Sequence, residues 1–289
     1  MYDLIYSFRQ ELENLGYSKS IVNSYPKYVK SFLIFNHELP ENISEDHIKN
    51  YSGYLQEKPN KRRQGKLSQS YIHSQQLAIK GFFNYLERTG QIKQNPFTLQ
   101  LKSPQYQERN ILSQQQIQIL YKHCQSMEQT IILHLCYGCG LRRSEAVNIT
   151  VKDIDLEQKL LYVRKGKNKK RRVIPITQSM ANDFRKYLES RKSPSFGGVG
   201  QEALLLNKQN KKMTANTMYL LFKNLLKTIN NGQIIAENYC LHSLRHSIAS
   251  HLLENEINVE MVRDFLGHSR LSTTQIYTRV NHVKHTPGQ

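Results

Sequence analysis

Apolar side chains recur at helical spacing through most of this chain, and the period changes only over residues 160–176. That single change limits the fold, because a chain patterned this way builds helices around no more than a small sheet. Leu4, Ile5, Phe8, Leu12 and Leu15 mark a first helix that Gly16 stops. A second runs from about Ser20 to Phe35 and contains Pro26, which predicts a kink or a later start. Ser44-Glu45-Asp46 reads as an N-cap with an acidic first turn. Ser68–Arg88 presents the broadest apolar face, carried by Ile72, Ala78, Ile79, Phe82, Phe83 and Leu86 and closed by Gly90. Four such helices predict a compact helical domain over residues 1–98. Residues 99–111 are mostly polar, include Pro104, show no period and read as a linker. A second domain is expected over residues 112–289. It opens with helices, passes through short strands at Leu160–Val163 and Arg172–Ile176 around the turn Lys165–Lys170, and returns to helices from Thr214 to about Tyr277. The expected fold class is mainly α with a small antiparallel β-sheet.

Charge narrows the function. Lys and Arg total 41 against 23 Asp and Glu, a formal charge of +18. Such an excess suits a polyanion: DNA, RNA or an anionic membrane surface. No apolar run approaches the roughly 18 residues of a membrane span, and Met1–Gln10 lacks the basic-then-apolar order of a secretory leader. Four cysteines in 289 residues make no disulfide framework, so a cytoplasmic, reducing setting is expected. No phosphate loop of the G-x-x-x-x-G-K-[ST] type occurs, nor a G-x-G-x-x-G after a strand, nor an evident acidic cluster for a two-metal site. Cys136-x-x-Cys139 is half a zinc site without a second pair, and its apolar setting predicts core cysteines.

What remains is a set of cationic groups and one tyrosine in the second domain. Arg142 and Arg245 each carry a planar fork of donors that matches a phosphodiester. His242 and Arg245 stand three residues apart, on one face of a helix. His242 and His268 can donate hydrogen bonds or move protons near neutral pH. Lys167 sits at the turn between the strands, within reach of a leaving group. Tyr277 is a candidate nucleophile. Its ordinary pKa of about 10 requires cationic neighbours before it ionises, and the same cations stabilise a pentacoordinate phosphorane in place of a metal ion.

These residues carry a resemblance. Gly140-Leu-Arg142-Arg143-Ser-Glu145 is similar to G-L-R-x-S-E, and Gly166 to Pro175 aligns without a gap to G-K-G-N-K-x-R-x-x-P. His242-Ser-Leu-Arg245-His246 matches H-x-L-R-H, Leu266-Gly-His268 matches L-G-H, and Thr273-Thr-Gln-Ile-Tyr277 matches T-T-x-x-Y. In this order and spacing the chain resembles the tyrosine recombinases of the phage integrase and Xer type. The resemblance implies a helical SAM-like core-binding domain followed by an α+β catalytic domain. It implies Arg142, Lys167, His242, Arg245, His268 and Tyr277 as catalytic residues, with Glu145 as acidic support for Arg142. It implies double-stranded DNA as partner, a homotetramer on two DNA sites (a monomer without DNA), strand exchange through a 3′-phosphotyrosyl link, and no cofactor or metal. An accessory directionality factor stays open as a further partner.

Backbone contacts to DNA are expected from the loop Lys58–Lys66, notably Arg62, Arg63 and Lys66, and from Arg143, Lys169, Lys170 and Arg171. Gln75, on the polar side of Ser68–Arg88, is expected to face a groove, where glutamine can pair with adenine. Arg143 departs from the family, which has an uncharged residue there. Twelve residues follow Tyr277, and they include Pro287 and Gly288. Many relatives have a longer helix there, so weak tetramer contacts, another docking element or a shortened chain are the open readings. Two rivals stay open: a non-catalytic DNA-binding accessory protein of the same fold, and a type IB topoisomerase, which uses closely related chemistry on one duplex.

Overall fold

The computed structural model describes residues 2–60, 64–101, 110–164, 171–191, 203–229 and 239–267. The chain divides into two compact units, Met1–Gln107 and Glu108–Gln289.

The first unit is helical. Its elements are α1 (Tyr2–Asn14), α2 (Lys19–Asn36), α3 (Glu45–Glu57) and α4 (Gln69–Arg88). Gly16 ends α1 in the left-handed region at φ 72°. Ser18, Ser44 and Ser68 stand at the N-caps of α2, α3 and α4, and the Ser18 and Ser68 hydroxyls each accept a backbone N–H three residues on. Pro26 lies inside α2, which runs unbroken from Lys19, one residue earlier than the sequence pattern suggested. The proline is buried, and the helix is held by the apolar stripe Val22, Val29, Phe32 and Leu33. Burial of that stripe offsets the lost backbone hydrogen bond. The core is aromatic: Phe8 meets Phe82, Phe32 meets Phe83, and Phe82 meets Phe83, all edge to face.

The second unit is mixed. Helices α5 (Gln114–Lys122) and α6 (Met127–Leu133) lead into a π-helical turn at His134–Gly138 and a single-turn α7 (Arg143–Ala146). Three strands follow, β1 (Ile154–Asp155), β2 (Leu160–Val163) and β3 (Arg172–Pro175), antiparallel in the order β1-β2-β3. Leu161 pairs with Ile174 and Val163 with Arg172. Leu161, Val163 and Ile174 turn into the core, as the period of two requires. Then come α8 (Gln178–Ser190), α9 (Ala215–Thr228), α10 (Leu241–Glu254) and α11 (Val259–Leu266). The described elements are thus mostly helical with a small antiparallel sheet. The two-residue strand β1 carries too little sequence to announce itself, and it was not among the expected elements. Cys136 and Cys139 are fully buried and unbonded, as core cysteines should be. No helix of the described residues is long and apolar enough to cross a membrane.

Candidate active site

The site grows from one glycine. Gly140 sits at φ 59°, and a Cβ there would stand 2.9 Å from Leu266 Cδ2 and 3.0 Å from Phe265 Cε1. Only glycine allows both the backbone conformation and this approach of α11. Leu141 follows, fully buried, its N–H donating to the Leu135 carbonyl across the π-helical turn. Anchored this way, the chain delivers Arg142 in extended conformation at the start of α7. Glu145, three residues on, accepts from the Arg142 backbone N–H at 3.0 Å and from Arg142 Nη1 at 2.7 Å. One carboxylate thereby fixes both the backbone and the guanidinium of the same arginine.

Glu145 is the centre of a larger cluster. It is only 3 % exposed, and Arg172 Nη2 at the start of β3 donates to its Oε2 at 2.9 Å. Arg245 Nη1 lies 3.8 Å from the same oxygen. Burial pushes the Glu145 carboxyl up, but the Arg172 hydrogen bond and charge, with both Arg142 contacts, bring it down to about 2. Three guanidiniums thus surround one ionised carboxylate. Arg245, on α10, is 1 % exposed; its Nη1 donates to the Gly140 carbonyl and its Nη2 to the Leu266 carbonyl at 2.7 Å. Arg142 Nη2 reaches the Gly267 carbonyl at 3.5 Å. Gly267 caps α11 at φ 65°, immediately before His268 in the chain. The G-L-R, H-x-L-R and L-G segments, far apart in sequence, therefore meet at one cationic point.

The sequence-derived residues divide accordingly. Arg142, Glu145 and Arg245 stand together. Arg245 is too buried to serve as a surface ion pair. The Arg142 side chain keeps 19 % exposure, which makes it the best placed of the three guanidiniums to meet an anion from outside. His242 is exposed in the first turn of α10, its ring edge-on to His246 at 4.7 Å. His246 and Ser247 belong to the packing: Ser247 Oγ accepts from the Leu112 N–H at 2.8 Å and donates to the Ser243 carbonyl. Lys167, His268 and Tyr277 lie outside the described residues, as do Arg62, Arg63, Lys169, Lys170 and most of the expected linker. Arg143 and Arg171 are exposed, and Lys66 is exposed and paired with Glu57.

One expectation is corrected. Gln75 does not stand out toward a groove: it is 4 % exposed, and its Oε1 accepts from the Tyr51 hydroxyl at 3.1 Å. The α4 stripe turns it inward with Ile72, Ala78 and Ile79, where its amide satisfies a buried phenol. One residue was missed. Arg172 had a signal, since it occupies the arginine of G-K-G-N-K-x-R-x-x-P, yet the basic run pointed instead to Arg171 beside it. Among the described residues, no group of three or more His, Cys, Asp and Glu is arranged to hold a metal ion.

The profile of the phage integrase family matches residues 110–284, more than half of the chain. The chain belongs to the phage integrase family. This integrase-family chain is 30 % identical over 288 residues to the tyrosine recombinase XerA of Pyrococcus horikoshii, covering 98 % of itself and 90 % of that protein. It is 29 % identical to the tyrosine recombinase XerD of Halalkalibacterium halodurans, covering 93 % of itself and 90 % of that protein. In fold it is similar to the Tn1549 transposon integrase solved with circular intermediate DNA, at a TM-score of 0.77, 18 % identity and coverage of 97 % and 99 %. It is also similar to the XerH recombinase bound to difH substrate, at a TM-score of 0.71, 19 % identity and coverage of 91 % and 77 %.

Proposed function

We propose that this chain is a site-specific tyrosine recombinase that cuts and rejoins DNA strands through a 3′-phosphotyrosyl intermediate. The observation that carries the reading is the cluster of Arg142, Arg172 and Arg245 around Glu145, three guanidiniums to one carboxylate, assembled from family motif segments. Such a cluster suits the two charges that build up on a phosphorane.

In this reading the Tyr277 oxygen attacks the scissile phosphorus. A bond forms from the tyrosine to phosphorus, and the bond from phosphorus to the 5′-oxygen breaks. Arg142, with Arg245 behind it, holds the non-bridging oxygens, and His268 joins the clamp. His242 accepts the tyrosine proton or positions the phosphate. Lys167 supplies the proton that the departing 5′-oxygen takes. The ester energy stays in the phosphotyrosyl link, so attack by the 5′-hydroxyl of another strand rejoins DNA without ATP. The enzyme is expected to act as a homotetramer on two DNA sites, and as a monomer away from DNA. The first unit would serve as the core-binding domain and the second as the catalytic domain, in the cytoplasm with the nucleoid. Arg62, Arg63, Lys66, Arg143, Lys169, Lys170 and Arg171 would meet backbone phosphates, which fix position without reading sequence.

Covalent trapping tests this. The protein and Tyr277→Phe are incubated with nicked suicide duplexes drawn from DNA flanking its gene, with chelator present, and run on denaturing gels. The expected result is a slow-migrating adduct that the variant lacks and the chelator spares. An adduct that persists in Tyr277→Phe would contradict the assignment, and salt-sensitive binding without any adduct would favour a non-catalytic DNA-binding protein.

A further inference from the structure

Arg172 has no assigned part in the reaction described above, and its placement calls for one. Its side chain is 8 % exposed and reaches Glu145 Oε2 at 2.9 Å. Its guanidinium also fills the space over Gly267, where a Cβ would stand 2.9 Å from Nη1. Its Nε is buried and has no hydrogen-bond partner among the described residues. Burying a third guanidinium beside one carboxylate costs desolvation that an apolar side chain of similar volume would avoid. Stability therefore does not account for the choice of arginine.

The two oxygens of Glu145 show what it does. Oε1 takes Arg142 Nη1; Oε2 takes the Arg142 backbone N–H and Arg172 Nη2, with Arg245 farther off at 3.8 Å. Without Arg172 the carboxylate would be matched mainly by Arg142, the most exposed of the three guanidiniums, and would cancel the charge that arginine offers outward. With Arg172 in place the carboxylate is matched from behind, so it orients Arg142 without neutralising it. We propose that Arg172 is a positioning residue for DNA cleavage, acting through Glu145 to hold Arg142 as a charged, fixed fork toward the scissile phosphate. This rests on the cleavage reaction proposed above. Lysine is no substitute, because it places a point charge on one oxygen and cannot span from Glu145 to the Gly267 cap.

The test combines Arg172→Gln, Arg172→Lys and Glu145→Gln with the Arg172→Gln/Glu145→Gln double variant. Adduct formation at saturating DNA, DNA affinity and melting temperature are measured for each. Arg172→Gln is expected to slow adduct formation about 100-fold with affinity within about twofold. The double variant is expected to be no slower than the slower single variant, since both residues act through one group. A wild-type rate in Arg172→Gln, an affinity loss as large as the rate loss, or additive losses in the double variant would overturn the proposal. If Arg172→Gln melts below the assay temperature, Arg172→Lys decides: a rate about tenfold down at unchanged affinity supports the proposal, and a wild-type rate overturns it. Carbon-13 titration of the Glu145 carboxyl separates this proposal from the cleavage reading. A rise in Arg172→Gln toward the ordinary carboxylate range is expected, and an unchanged titration overturns the proposal whether or not DNA is cut. A wild-type protein that forms no adduct counts against the cleavage reading, and the titration alone then decides on Arg172.

Discussion

The two units bury different things. Among the described residues of the first unit the buried polar side chains are Ser52 and Gln75, neither of them charged, inside a core of edge-on aromatic rings. The second unit buries Glu145, Arg245, Asp153, His134 and His251. Apolar burial is non-directional and tolerates exchange of one side chain for another of similar volume. Buried charge is directional and costly, and every member needs its partner. The first unit is thus built as a scaffold, while the second gives up stability to hold a cationic cluster in one geometry.

The sharpest contrast should come from two truncations of similar cost. Phe82→Ala removes a fully buried ring from the first core and should destabilise that unit by about 3–5 kcal/mol. Glu145→Ala leaves buried guanidiniums without their anion and should destabilise the second unit by a similar amount, about 3–5 kcal/mol. Denaturant-dependent amide exchange read by mass spectrometry assigns each loss to its unit. Adduct formation by the folded fraction should survive Phe82→Ala and vanish in Glu145→Ala. Loss of adduct in the folded Phe82→Ala protein would show that the first core also shapes the reaction site.

Acid should separate the units next. Burial lowers the His134 imidazole despite a 2.9 Å contact to Asp183, and burial likewise lowers His251. Both bind a proton less readily in the fold than in the unfolded chain, so stability falls as pH drops below about 6.5. Glu145 follows. Its folded value of about 2 lies below the ordinary 4.5, so its contribution is present above 4.5 and is lost as pH falls toward 2. That shift corresponds to no more than about 3 kcal/mol. Amide exchange across pH 7 to 3 should show the second unit opening before the first, and simultaneous opening would contradict the contrast.

Smaller effects are expected in the first unit. Tyr51→Phe strips Gln75 Oε1 of its donor and should cost about 1–2 kcal/mol by denaturant titration. Lys66→Ala breaks an exposed pair with Glu57 and should change stability by less than about 0.5 kcal/mol. If Lys66 meets a phosphate, the same variant should lower the salt dependence of DNA binding by about one ion.

The sequence made the helices other than α8, two of the three described strands and most of the cationic cluster legible, for identifiable reasons; no helix was expected over Gln178–Ser190. Helical and strand periods report which face is buried, and Leu161, Val163 and Ile174 obey the period. Gly140 and Gly267 stood in motif positions, and their positive φ angles explain why. Period says nothing of how a polar residue on a buried stripe is satisfied, so Gln75 was placed outside. Nor does it tell which of two adjacent arginines turns inward. The strand register decides that, putting Arg172 opposite Val163 with its side chain on Glu145. The π-helical turn at His134–Gly138 has no period of its own to read, and the unbroken α2 shows packing overriding a proline.

In the proposed reaction Arg142 neutralises charge on the scissile phosphate, and a charge-deleted substrate tests that most directly. Arg142→Ala would be compared with the wild type on suicide duplexes carrying either a normal scissile phosphate or a neutral methylphosphonate there. With no charge left to neutralise, Arg142→Ala should form adduct on the methylphosphonate at a rate at least about tenfold above its rate on phosphate. Arg142→Ala folded as the wild type, binding DNA as tightly and equally inert on both substrates, would show that Arg142 serves the fold and not the phosphate.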